Sequence, residues 1–168
     1  MGALFLGAFA TVWLMIWAYR TFDRRAGAAA LTGAAGMAAL GWIYTRYRRH
    51  QQNAGSEPDT PEARRTARLF HIVNFGQWIV IVVVGNILAN IGLSAWVLPM
   101  VMLVVGLHFF PLARLFNAPS RAVTGVALVL VAILYPFLAP NGPADPVGCL
   151  CAGAVLWASA IWSMGHDG

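Results

Sequence analysis

Six long apolar runs, separated by short polar or proline-rich connections, organise this 168-residue chain. They cover Ala3–Tyr19, Ala26–Tyr44, Leu69–Ile91, Ala95–Phe116, Ala122–Leu138 and Val147–Met164. A helix needs ~20 mostly apolar residues to cross the ~30 Å hydrocarbon core of a bilayer, and several runs reach that length. The runs are solid, without the alternating stretches of ~10 residues that mark barrel strands. The pattern predicts an all-α fold, a polytopic transmembrane helix bundle of six spans. A single domain covers residues 1–168, with a polar cytoplasmic loop at about 46–62.

The second run is the weakest of the six. Between Ala26 and Gly41 it is dominated by Ala and Gly, so it is barely apolar. A five-span protein with a re-entrant or surface helix at this position is the alternative. Small side chains favour close helix packing in lipid, which offsets weak insertion and supports six spans. The first run lacks a basic leader and reads as a retained membrane helix.

Composition sharpens the membrane reading and narrows the partners. Hydrophobic residues make up 60% of the chain and charged residues 10%. All eleven basic residues are Arg, a bias associated with GC-rich bacterial genomes. The net charge of +5 has its explanation in topology, so no nucleic-acid partner is expected. Cytoplasmic loops collect basic residues. Arg46, Arg48, Arg49, Arg64, Arg65, Arg68, Arg114 and Arg121 fall on one side of a six-span chain, against Arg20, Arg24 and Arg25 on the other. This balance predicts a bacterial inner (plasma) membrane protein with both termini in the cytoplasm. Within the loop, Thr60 and Pro61 form a good helix start, a capping residue followed by proline in the first turn.

Polar side chains at membrane depth are costly and point to function or to interhelical hydrogen bonds. They concentrate on the third and fourth runs, which a tight turn at Gly92–Ser94 joins into an antiparallel hairpin. His108 lies fourteen residues after Ser94, and Trp78 lies fourteen before Gly92. His108 and Gln77 are therefore nearly level, ~21 Å from the turn. The same count sets Arg114 beside His71 and Asn74. His71, Asn74, Gln77, His108 and Arg114 form the candidate substrate or pore cluster. Pro111, one turn beyond His108, removes a backbone donor and frees the Leu107 carbonyl, predicting a disrupted helix there. Asn86 and Asn90 form a secondary polar pair near the other end. Asn86 points ~180° away from Gln77 on an ideal helix, so no single polar stripe runs along the third helix.

No metal-ligand motif, paired acid or carboxylate cluster is present, and no cofactor is expected. Cys149 and Cys151, two apart on a helix, face ~200° apart and read as ordinary buried thiols.

The stretch Gly106–Phe116, GLHFFPLARLF, with the preceding hairpin from His71 through Asn90, resembles a group of small multi-pass bacterial membrane proteins without an assigned activity. The resemblance implies the helical architecture and draws attention to His108, Pro111 and Arg114. Transport or conduction of a small solute or ion, through a cavity near the third and fourth helices, is the leading expectation. An accessory, scaffold or lipid-interacting role is the first alternative. An enzyme acting on a lipid or prenyl substrate is the second, with Arg114 as phosphate clamp and His71 and His108 as acid or base. Expected partners are membrane lipids and either further copies of the chain or another membrane protein.

Overall fold

The hydrophobic runs become helices because intrasegment bonding is the way an apolar segment satisfies its backbone in lipid. The computed structural model describes the backbone of residues 2–22, 26–51 and 60–166. Its helices are α1 (Gly2–Thr21), α2 (Ala26–Gln51), α3 (Pro61–Asn90), α4 (Val97–Leu115), α5 (Pro119–Leu138) and α6 (Val147–His166). No strand occurs among the described residues, and the fold is all-α. Helices α1 to α5 are long and apolar enough to span a membrane. In α6 the described apolar stretch, Val147–Ser163, is slightly shorter. The Ala/Gly-rich second helix is among the five.

The polar connection is shorter than the sequence suggested. Helix α2 continues through Arg46–Gln51, and α3 starts at Pro61. Arg, His and Gln are compatible with helix, which lets α2 run on through Gln51. Residues 52–59, and the side chains of 46–51, lie outside the described residues, as do Arg24 and Arg25. At the start of α3 the Arg64 N–H donates to the Thr60 carbonyl at 3.1 Å, which makes Thr60 the cap position and Pro61 the first helical residue. At ~1.5 Å per residue the 30 residues of α3 reach well beyond a bilayer core, leaving its Arg-bearing first turns at headgroup level.

The chain divides into two compact units, residues 1–58 with 149–168, and residues 59–148. In the first, α1 is the centre. Its Thr11 is packed directly on Gly36 of α2, where an added Cβ would overlap the threonine side chain. A Cβ on Gly33 would meet Met15 Sδ at 3.0 Å, and one on Gly7 would meet Leu40 Cδ2 at 2.8 Å. These pairs run in opposite order along the two chains, so α2 lies antiparallel to α1 along its length. That arrangement differs from a re-entrant turn. Gly153 of α6 approaches Leu14 and the Ala10 carbonyl, and Trp157 reaches Gly7, so α6 is antiparallel to α1 as well. The beginning of α1 and the later turns of α6 therefore lie at the same end of this unit. Thr11 is 5% exposed and donates to the Gly7 carbonyl at 2.8 Å, which satisfies its hydroxyl inside the packed face.

The second unit holds α3, α4 and α5. Helix α3 ends in a Schellman motif: Leu93 N–H to Leu88 O at 2.8 Å, Gly92 N–H to Ala89 O at 3.4 Å, with Gly92 at φ +80°. The same motif ends α4, where Ala118 N–H reaches Ala113 O at 3.0 Å and Asn117 N–H reaches Arg114 O at 3.4 Å. Here Asn117 takes the left-handed position, φ 47°. Helices α4 and α5 cross with backbones in near contact. A Cβ on Gly125 would fall 2.8 Å from the Gly106 carbonyl oxygen, and one on Gly106 would fall 3.0 Å from Val129 N. The buried stripe of α4, Pro99, Met102, Val105, Gly106, Phe109 and Leu112, follows the helical period along this contact.

The α5–α6 connection is organised by one carboxylate. Asp145, 7% exposed, accepts from Asn141 N (3.2 Å), Asn141 Nδ2 (3.0 Å) and Val147 N (2.9 Å). It closes the Ala139–Pro146 turn and caps α6 together. Tyr135 donates its hydroxyl to the Pro143 carbonyl at 3.1 Å, and Gly148 leaves the space that the Tyr135 ring occupies. Trp96 meets Phe137 edge-on at 6.1 Å, so both turns lie at one end of the unit. Phe70, Phe116 and Arg121 gather at the other.

Candidate functional site

The α3–α4 register follows from contacts at both ends. Gly85 lies near Met100 Cε, 3.6 Å from the position of an added Cβ, and the Phe70 and Phe116 rings meet at 6.1 Å. Between these anchors Gln77 falls level with His108, Asn74 with Pro111, and His71 with Arg114. Depth alone does not make a cluster, however. No hydrogen bond links any two of these side chains among the described residues. His71 is exposed and stacks edge-on against its neighbour Phe70 at 5.8 Å. Asn74, Gln77 and His108 are half-buried. His108 flanks the buried stripe of α4, whereas Arg114 projects from the opposite side and is exposed.

Helix α3 carries most of the polar residues and yet has no fully buried residue along its spanning stretch, Arg64–Asn90. Asn86 donates from Nδ2 to the Val82 carbonyl at 2.7 Å, and Asn90 to the Asn86 carbonyl at 2.8 Å. Both are exposed and spend their donors on their own helix. They satisfy themselves without joining α3 to a neighbour.

A cleft of about 860 Å³ opens where α3, α4 and the start of α5 meet. Leu69 and Val73 line it from α3, Phe110, Pro111 and Arg114 from α4, and Asn117 from the turn before α5. Of the sequence-predicted residues, Arg114 and Pro111 border this cleft; His71, Asn74, Gln77, His108, Asn86 and Asn90 do not. Pro111 leaves the Leu107 carbonyl without its i+4 donor, and α4 nonetheless continues to Leu115. The Arg114 guanidinium has no hydrogen-bond or ion-pair partner among the described residues. Arg121 behaves differently, its guanidinium carbon 4.3 Å above the Phe116 ring. Arg64, Arg65 and Arg68 stand on the first turns of α3 at this same end. The end is cationic, and the chemistry it offers is anion binding beside an apolar wall.

Sequence reasoning missed Asn117 and the apolar wall of Leu69 and Val73. A signal for Asn117 existed: Asn directly before Ala-Pro at the end of an apolar run is a plausible left-handed cap. Among the described residues no three His, Cys, Asp or Glu side chains are grouped to hold a metal ion. No family model, curated protein or solved structure matches the chain.

Proposed function

We propose that this is a bacterial inner-membrane protein with an accessory, lipid-interacting role, its Arg-bearing end of the second unit facing the cytoplasm together with both termini. The observation that carries the reading is the cleft between α3, α4 and α5, apolar along its walls and bordered by the Arg114 guanidinium, which has no partner among the described residues. An open groove of this composition matches an amphiphile better than a hydrated ion, which needs polar ligands on several sides. The orientation follows from Arg64, Arg65, Arg68, Arg114 and Arg121 at one end, set against turns without any Arg at the other. Anionic lipid on the cytoplasmic leaflet attracts such a cluster, by ~1 kcal/mol per Arg near the surface.

The test is thermal unfolding of delipidated protein in detergent, with added phosphatidylglycerol or phosphatidylcholine. A ligand of the folded state raises its melting temperature by mass action. The reading predicts a rise with phosphatidylglycerol that exceeds the rise with phosphatidylcholine. Equal or absent shifts contradict it.

Transport of a small solute or ion is the second reading, favoured by the proline-interrupted ladder of α4 beside the half-buried His108. Transporters place disrupted helices next to their binding sites. Flux into proteoliposomes that His108→Ala abolishes supports this reading; absence of flux across a broad solute panel removes it.

A further inference from the structure

We infer that the α3–α4–α5 cleft holds one anionic phospholipid, its phosphate on the Arg114 guanidinium and an acyl chain against Leu69, Val73 and Phe110. This rests on the lipid-interacting reading and adds the seat, the ligand class and the residue that selects it.

Three features of the cleft converge on that occupant. The first is its polarity gradient. Arg114 and Asn117 lie at the end of α4, whereas Phe110 is four residues further from that end, ~6 Å deeper. Val73 of α3 lies near Pro111 in the hairpin register and so is deeper than Leu69. Cation and amide at the mouth with hydrocarbon below reproduce the order of a phospholipid, headgroup then chain.

The second is the state of the guanidinium. Arg114 lacks a partner among the described residues, and no acidic residue lines the cleft. Arg offers a planar fork of donors that matches a phosphate with two parallel hydrogen bonds. Arg121, a second cation at this end, is engaged on the Phe116 ring. Arg114 is thus the guanidinium the cleft presents.

The third is the apolar wall itself. Leu69 is 40% exposed and Pro111 is exposed. A soluble phosphate would not engage this wall, whereas the acyl chain of a phospholipid lies against it while its phosphate meets Arg114. A phospholipid satisfies both the cation and the wall.

Native mass spectrometry of delipidated protein with equimolar phosphatidylglycerol and phosphatidylcholine tests the assignment. Wild type is expected to retain one phosphatidylglycerol, preferred about tenfold, the scale of one charge-assisted bidentate contact. Arg114→Gln should bring the preference to near unity, and Arg114→Lys should keep part of it. Val73→Trp, which fills the cleft, should reduce both adducts. Val82→Ala, on the exposed face of α3 and outside the cleft, should leave the preference unchanged, with folding of every variant checked by its melting temperature. An undiminished preference in Arg114→Gln overturns the seat while leaving general anionic-lipid binding standing. Lack of any preference in wild type overturns the lipid-interacting reading with it. Displacement of phosphatidylglycerol by millimolar inorganic phosphate overturns the lipid as occupant and assigns the cleft to a soluble anion.

Discussion

The α4–α5 pair and helix α3 belong to one compact unit and solve the problem of lipid in opposite ways. Helices α4 and α5 bring backbones together at Gly106 and Gly125, with a continuous buried stripe and few polar side chains. Helix α3 carries His71, Asn74, Gln77, Asn86 and Asn90, and none of its spanning residues is fully buried. Within a bilayer, apolar side chains gain little by choosing one another over lipid, so close packing sets the strength of a helix pair. The pair with few polar groups inside its contact is the closely packed core here, and the polar helix is its less buried neighbour. Polarity in a membrane helix therefore marks where contact is incomplete as readily as where a site is built. The cleft lies along that incomplete contact, closed on one side by the α4–α5 pair and on the other by α3.

The comparison breaks most visibly at the glycines. Gly125→Leu should abolish the folded state of the second unit, because even a Cβ there would fall 2.8 Å from a backbone oxygen. Gly106→Ala should lower stability by about 1–3 kcal/mol, the usual scale of overpacking, read as a drop in thermal midpoint in detergent. Gly76→Ala on α3 has nothing within 4 Å of the new Cβ and should be neutral or stabilise by about 0.5–1 kcal/mol. Equal destabilisation by Gly106→Ala and Gly76→Ala would dissolve the distinction between core pair and loose helix.

The next effect in size belongs to Asp145. Replacement by Ala removes the cap of α6 and two bonds to Asn141, and should cost about 1–2 kcal/mol. Limited proteolysis of the Ala139–Pro146 turn, faster in Asp145→Ala than in wild type, would register the loosened closure. The smallest effect is expected from Asn86→Ala and Asn90→Ala. Both side chains bond to their own helix, so each change should shift stability by less than about 0.6 kcal/mol, the average for interhelical bonds in membranes. A loss well above that would mean that these carboxamides hold α3 to another helix.

Much of the fold was legible in the apolar runs. All six became helices, the turn at Gly92 closes the α3–α4 hairpin, and Thr60-Pro61 opens α3. Depth was legible too, since 1.5 Å per residue is nearly independent of context. Azimuth was not. The sequence sets Gln77 and His108 at one level without saying whether they face each other, because a helix turns ~100° per residue and small packing differences rotate it. The cleft was hidden for the same reason: Leu69 and Val73 look like any other apolar residues until α4 and α5 are in place. Gly106 and Gly125 were equally hidden among seventeen glycines, of which Gly76 and Gly41 touch nothing. In the Ala139–Pro146 turn three prolines stand out in the sequence, whereas the closure depends on the single carboxylate of Asp145.

The most direct test places a photo-crosslinking amino acid at Val73, in the cleft, and in a second variant at Val82, on the exposed face of α3. Each is reconstituted in mixed phosphatidylglycerol and phosphatidylcholine vesicles, illuminated, and the captured lipids are identified by mass. Position 73 should capture phosphatidylglycerol in excess of its share of the vesicle, saturably and dependent on Arg114, while position 82 samples the vesicle composition. The same lipid distribution at both positions, unchanged by Arg114→Gln, would contradict a selective lipid seat between α3 and the α4–α5 core.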